Sequence, residues 1–322
     1  MLFSWYAGGA EPELVTLGIL TYNIIAFGSQ PLIGYLCDTY RKIPIAIIGC
    51  LLLITGLFSL PLPWASVFLM GLGNACFHIG GGTDSLRHAK GRMARSGVFV
   101  SSGALGVALG TLAGKSGSVP MPAPIGALVL CLILLFLFCP SHKELPDSDK
   151  PFTLARPELR FWVVILLASI SIMVRSYAGS VLPLEWRTTT ALFLIPAIGA
   201  FLGKASGGYL ADRIGSRRVA VTSLSLAVII LTFGFTNPWF YIAGIILFNM
   251  NMSITLCVIA SVLTANPGLA FGITTLALLC GNVPTFFIAV PQAPLVFALL
   301  TIVSIACLYY MLKGKKEEQE GR

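Results

Sequence analysis

A chain of 322 residues in which 56% are hydrophobic and 11% are charged departs from soluble domains, which run near ~45–50% apolar and ~25% charged. The same composition excludes collagen, coiled coil and disorder, since Gly follows no triplet rule and Leu, Ile and Val are abundant. The formal net charge of +8 gathers at one set of turns between apolar runs, the mark of a membrane protein and not of a nucleic-acid binder.

In chain order, apolar runs of spanning length fall at 14–37, 43–60, 62–82, 98–114, 120–139, 159–182, 189–211, 219–235, 238–263, 269–290 and 293–312. Each is near the roughly 20 residues that a hydrocarbon core of about 30 Å requires, with 98–114 and 219–235 short. The pattern predicts an all-α integral membrane protein with eleven transmembrane helices. The eight cysteines are scattered without a CxxC pair and read as small core hydrophobes. His78, His88 and His142 lack ligand spacing, so neither a metal nor another cofactor is expected. The start Met1-Leu2-Phe3 has no basic region, and Gly8 to Glu13 interrupts any apolar run, so no cleavable signal peptide is expected.

Orientation follows from the 21 Lys and Arg. If the turn after the first run faces the cytoplasm and sides alternate, 17 lie inside, Lys115 and Arg187 lie outside, and Arg175 and Lys204 fall within spans. This places the carboxyl terminus in the cytoplasm. An internal repeat accompanies it. Gly34-Tyr35-Leu36-Cys37-Asp38, followed by Arg41 and Lys42, recurs as Gly208-Tyr209-Leu210-Ala211-Asp212, followed by Arg213, Arg217 and Arg218. The two aspartates stand 174 residues apart, so each half has about that length. Only 37 residues precede Asp38, about one span fewer than precede Asp212 in its half, which implies a first helix missing from this chain.

The repeat resembles the loop motif of the major facilitator superfamily, Gly-x-x-x-Asp with Arg, Gly and further basic residues, after helices two and eight. The second copy fits closely through Gly215, Arg217 and Arg218. The first has Thr39 where Arg is usual and Arg41 where Gly is usual. The resemblance implies two six-helix bundles related by a pseudo-two-fold axis, less the first helix. It divides the chain into an N-terminal bundle at 1–140, a cytoplasmic linker at 141–158, a C-terminal bundle at 159–313 and a cytoplasmic tail at 314–322. Gly71-Leu72-Gly73-Asn74-Ala75-Cys76-Phe77-His78 with Gly80-Gly81-Gly82, and Lys204 in its Gly-rich setting, resemble the fosmidomycin-resistance-like branch. The fifth helix carries Gly103, Gly106, Gly110 and Gly114 without a Pro, unlike the antiporter motif of drug exporters.

Physically, glycine permits close helix approach, Asp can cap a neighbouring helix N-terminus or pair with Arg, and basic residues anchor a turn among headgroups. Gly34, Asp38, Arg41, Gly208, Asp212, Arg213 and Arg217 therefore read as a conformational latch, against the simpler reading of a positive-inside turn. Ionisable groups inside spans are expensive and mark sites. Arg175, about 16 residues into its run, is placed to meet an anionic group bidentately, or else to snorkel outward or pair with Glu185. His78 reads as a substrate or proton-exchange group near the inner end of its helix, or as a hydrogen-bonded core histidine. Lys204 is a second coupling candidate that is also close enough to the inner side to snorkel. Tyr177, Asn74 and Gln30 are the other substrate-binding candidates. Asn23, Asn249, Asn251 and Asn282 read as cavity lining or, better, as glue between helices. The stripes Gly103, Gly106, Gly110, Gly114 and Gly199, Gly203, Gly207 suit close-packed faces where helices five and eight meet.

All thirteen acids lie in loops, tails or span ends, so a proton-coupling carboxylate is missing from the middle of every span. Gly199-x-x-x-Gly203-Lys204-Ala205 is one residue short of a phosphate loop and lies in a span, and neither a nucleophile elbow nor a His-Glu-x-x-His motif occurs. The chain is therefore not expected to be an enzyme. The expectation is a secondary transporter in the plasma or inner membrane, moving a small organic, anionic solute by alternating access, with proton-coupled efflux. Its partners are the solute, the bilayer and protons, without nucleic acid, and it acts as a monomer. The alternative is a truncated, non-transporting membrane protein or scaffold.

Overall fold

The computed structural model describes residues 11–41, 43–116, 120–138, 159–186 and 189–313. The linker 141–158, the tail 314–322, Lys42, Arg187 and His142 lie outside them. The described chain is helical: α1 Pro12–Asn23, α2 Gln30–Thr39, α3 Ile45–Phe58, α4 Pro63–Arg87, α5 Met93–Ser116, α6 Pro122–Phe138, α7 Phe161–Ala178, α8 Thr190–Ile214, α9 Ser216–Gly234, α10 Pro238–Asn249, α11 Asn251–Val262, α12 Pro267–Asn282 and α13 Pro294–Met311. A π turn at Ile24–Gly28 joins α1 to α2, and α10 and α11 form one span that is broken at Met250. Among the described residues, seven spans are long and apolar enough to cross a membrane, and α3 and α6 are shorter apolar helices.

Local chemistry sets the ends. Pro63, Pro238, Pro267 and Pro294 open their helices, where a missing N–H leaves no bond unmade. Asn237 caps α10, its Oδ1 accepting from Trp239 N at 2.9 Å. The run predicted at 98–114 extends to Met93–Ser116, because the α5 N-terminus receives a capping carboxylate from another helix. The triplet Gly80-Gly81-Gly82 does not end α4, which continues to Arg87. A Cβ at Gly80 would strike Ala46 of α3, one at Gly81 the Phe99 ring, and one at Gly82 the Phe271 ring. These glycines are thus close-packing sites inside a helix that neighbours hold straight.

The helices form two bundles. In the first, α3 packs on α4 and α6, and α2 on α4; in the second, α7 and α9 pack on α13, and α8 and α9 on α10. Two seams join them, α5 against α8 and α2 against α12. Buried polar contacts stitch each bundle: Ser66 Oγ donates to Gly56 O at 2.8 Å, Ser171 and Ser304 hydroxyls meet at 2.7 Å, and Asn251 Nδ2 donates to Ser223 Oγ at 3.0 Å. Large apolar side chains such as Phe136, Phe138, Phe233 and Trp239 are exposed on the outside, as expected where lipid is the solvent.

Candidate functional site

The repeated motif lies at one end of the molecule, here the basic end. Asp38 closes α2 and reaches the first residues of α12: Oδ1 accepts from Gly268 N at 3.0 Å and Oδ2 from Leu269 N at 2.9 Å. Asp212 near the end of α8 does the same to α5, Oδ1 accepting from Met93 N at 2.9 Å and Oδ2 from Ala94 N at 3.0 Å. A helix N-terminus presents unpaired N–H groups and partial positive charge, so a carboxylate there satisfies both. Each aspartate thereby links one bundle to the other.

The surrounding residues differ between the copies. Asp38 also pairs with Arg87 Nη2 at 3.4 Å, both side chains being buried. Arg87 was not among the expected residues; its place one turn past Asp84 at a helix end was the available signal. Arg41 instead is exposed. In the second copy Arg213 stacks on Tyr209 of its own helix at 4.3 Å, and Arg217 on Tyr309 of α13 at 4.2 Å. Gly215 turns the chain with φ of 95°, a conformation reserved for glycine. Its counterpart Arg41 lies outside that region.

Glycines let the seams close. A Cβ on Gly34 would meet the Gly268 backbone, and one on Gly208 would lie 2.5 Å from Met93 O. Gly97 of α5 packs on Lys204 O, and Gly272 of α12 on the backbone of Gln30 and Pro31. The predicted stripes behave otherwise. Gly199, Gly203 and Gly207 face Ile245, Ile246 and Met250 of the α10–α11 span, inside their own bundle, and at Gly103 and Gly106 a Cβ would meet nothing. The α5–α8 seam uses a different face of each helix, because helix rotation and not glycine spacing sets which stripe meets the partner.

Between the ends stands a cationic cluster. His78 lies nine residues before the end of α4, so it sits about 14 Å above the basic end at ~1.5 Å per residue. This is deeper than expected, because α4 continues through its glycines. Lys204 lies ten residues before the end of α8, about 15 Å above that end. Arg175 lies fourteen residues into α7, about 21 Å up, but helical side chains point back toward the N-terminus. Its Nε donates to Ser171 O at 3.3 Å and Nη2 to Thr255 Oγ1 of α11 at 3.1 Å. The guanidinium thus returns by about one turn, ~5 Å, to the level of the other two. It neither snorkels outward nor pairs with Glu185.

Lys204 is within electrostatic reach of both His78 and Arg175. Among the described residues, none of the three has a carboxylate within ion-pair distance, and neither the His78 ring nor the Lys204 ammonium makes a hydrogen bond. The core-histidine alternative therefore lacks its hydrogen bond. His78 instead meets Phe99 edge-on at 6.5 Å, and Phe99 meets Phe271 at 6.0 Å, so aromatic rings adjoin the cluster. Asn74, one turn from His78 on the same face, is half-buried, as are His78, Lys204 and Tyr177.

Gln30 is fully buried, its Nε2 donating to Ala26 O at 2.7 Å, and its backbone lies in the α2–α12 seam against Gly272. Asn251 Nδ2 donates to Ser223 Oγ of α9 and so joins two helices, whereas Asn249 Nδ2 turns back on Ile245 O of its own helix. Asn23 and Asn282 line a cavity of about 200 Å³. Among the described residues no group of three His, Cys, Asp or Glu could hold a metal ion.

A family model described as Major Facilitator Superfamily matches residues 8–289. No curated protein matches the chain in sequence. In fold it is similar to the human organic anion transporter MFSD10 (TETRAN), at 16% identity and TM-score 0.66, covering 96% of this chain and 87% of that one. It is also similar to the fucose:proton symporter of E. coli, at 14% identity and TM-score 0.64, covering 92% and 91%. A structure of a fucose transporter of the superfamily in the outward conformation matches at 13% identity and TM-score 0.58, covering 94% and 91%.

Proposed function

The chain belongs to the major facilitator superfamily, and on that premise we propose that it is a secondary transporter of a small organic anion working by alternating access. Members and structural neighbours are transporters, not enzymes, and the multi-pass helical fold is a membrane fold. The observation that carries the anion is the cluster of Arg175, Lys204 and His78 at one depth without a carboxylate partner among the described residues. Charge buried at mid-membrane is costly until compensated, so an anionic group supplied by the solute is the natural counter-ion. Arg175 retains unused N–H groups for a carboxylate or phosphate-like group, and Asn74 and Tyr177 flank the path.

The basic end is assigned to the cytoplasm, together with the carboxyl terminus, by the positive-inside rule. Asp38 and Asp212 hold that end closed, in keeping with a fold similar to an outward conformation. The bundles are assigned to 1–140 and 159–313, with 141–158 as linker. His78 and Lys204 are the proton-coupling candidates for efflux from a cell, and the protein works as a monomer. The human neighbour's organic anions and the bacterial neighbour's protons are consistent with both parts of this reading.

The test is solute flux in proteoliposomes with a panel of small carboxylates and phosphate esters and their uncharged analogues. The expected result is anion-selective flux that falls at least tenfold in Arg175→Ala and His78→Ala. Parent-like flux in both variants overturns the site. Absence of any flux, with protein correctly inserted, favours a non-transporting protein.

A further inference from the structure

Two thiols of the first bundle face each other across α3 and α6. α3 starts at the basic end, where α2 stops, and α6 runs back toward that end, so the two are antiparallel neighbours. Cys50 is five residues past Ile45 and Cys131 seven residues before Phe138, which puts them about 8 Å and about 10 Å above that end at ~1.5 Å per residue. A Cβ on Gly49 would strike the α4 backbone at Gly73 and Phe77, so Cys50, rotated from it by about 100°, turns toward α6. The two sulfurs are within hydrogen-bonding reach of each other, and both residues are free thiols in this structure.

Their surroundings are unequal. Cys50 is fully buried, whereas Cys131 is partly exposed on α6, a helix none of whose residues is buried. Leu130, Ile133 and Leu134 beside it are exposed and apolar, so this face of α6 belongs to lipid. A reagent carried in the bilayer therefore meets the Cys131 sulfur and reaches Cys50 only through it. An accessible thiol with a second thiol poised behind it is the arrangement of an attacking and a resolving cysteine. The Cys50 S–H also offers its hydrogen to charge that develops on the Cys131 sulfur, and the thiolate is the reactive form.

We infer that Cys131 and Cys50 form a site of reversible oxidation, which takes a hydroperoxide as oxidant and closes a disulfide between α6 and α3. The Cys131 sulfur attacks the terminal oxygen of the O–O bond. That bond breaks, its other oxygen leaves with the thiol proton as an alcohol or water, and Cys131 becomes a sulfenic acid. The Cys50 sulfur then attacks the Cys131 sulfur, the S–S bond forms, and the hydroxyl leaves with the Cys50 proton as water. The two thiols together give up two electrons, and the peroxide takes them. Hydroperoxides arise on unsaturated acyl chains, in the lipid that wets α6. The residues stand 81 positions apart, so the bond restricts a long stretch of the unfolded chain and pins a helix that the bundle buries poorly.

The experiment uses the full chain, reduced beforehand, in nanodiscs of saturated phosphatidylcholine. One arm adds phosphatidylcholine hydroperoxide to the lipid and the other adds hydrogen peroxide to the water, the faster arm showing from which side the oxidant comes. After alkylation, mass spectrometry should find the Cys50 and Cys131 peptides joined, two hydrogens lighter than the separate pair, while the exposed Cys280 is still alkylated. Cys50→Ser should leave a dimedone-reactive sulfenic acid on Cys131, and Cys131→Ser should leave Cys50 as the thiol. Oxidation should raise the unfolding temperature of the parent by several degrees and of neither variant, and a phosphine reductant should reverse the rise. The inference is overturned by no joined peptide in either arm, by dimedone on Cys50 in Cys131→Ser or none on Cys131 in Cys50→Ser, or by a joined peptide that leaves unfolding unchanged. Flux is not read, so the anion site and this one stand or fall separately.

Discussion

Asp38 and Asp212 stand 174 residues apart and make the same contact in space. Each lays both carboxylate oxygens on two successive backbone amides, at 2.9–3.0 Å, where a helix of the opposite bundle begins. The two sites differ in burial: Asp38 is sealed in with the buried Arg87, whereas Asp212 is half-buried.

That asymmetry predicts unequal losses. Asp212→Ala removes a half-buried carboxylate, whose cap is worth roughly 0.5–2 kcal/mol and whose loss leaves no fully buried charge behind it in the way that Arg87 is left behind. Asp38→Ala removes a cap and strands a buried guanidinium, a change of about 3–5 kcal/mol. Thermal unfolding in nanodiscs should rank Asp38→Ala well below Asp212→Ala, and Arg87→Met combined with Asp38→Ala should recover part of the difference. Equal melting temperatures for the two single variants would contradict the ion pair.

Glycine substitutions should divide by seam, not by stripe. Gly208→Ala and Gly34→Ala push a methyl into opposing backbone and should abolish flux or expression of folded protein. Gly103→Ala and Gly106→Ala meet nothing and should behave as the parent. Size-exclusion profiles with flux measurements check this, and sensitivity at Gly103 equal to that at Gly208 would refute the seam assignment.

The two copies of the motif should also differ at the turn. Gly215→Ala forces a Cβ into a backbone region that costs on the order of 1–3 kcal/mol for other residues. Arg41→Ala, at the matching place with ordinary backbone, strains nothing and loses only an exposed side chain's interactions, so it should cost less than Gly215→Ala. Melting temperatures decide it.

Thr255→Val keeps shape but removes the oxygen that receives Arg175 Nη2 at 3.1 Å. A freed guanidinium should raise KM for anions severalfold with less change in maximal flux, and Thr255→Ser should restore the parent value. A variant with unchanged KM would show that Thr255 does not position Arg175.

Much of this molecule is one-dimensional. The lengths of the apolar runs, the side on which Lys and Arg gather and the recurrence of Gly-x-x-x-Asp are properties of the chain read in order. They determined the spans, the all-α membrane fold and the resemblance to its family, because lipid sorts segments by local hydropathy and charge. The tertiary structure decided what depends on helix rotation and pairing. It gave Asp38 to α12 and Asp212 to α5, brought Arg87 into the first latch and turned Gly199, Gly203 and Gly207 onto α10–α11. It carried α4 through its glycines, so that His78 shares a depth with Lys204 and a back-folded Arg175. It left Asn23 and Asn282 facing a cavity, tied Asn251 to α9 and turned Asn249 back on its own helix. Residues 119 and 230 positions apart make these contacts, and no local pattern encodes them, since an apolar helix in lipid is driven together by close packing and polar contacts, not by hydrophobicity.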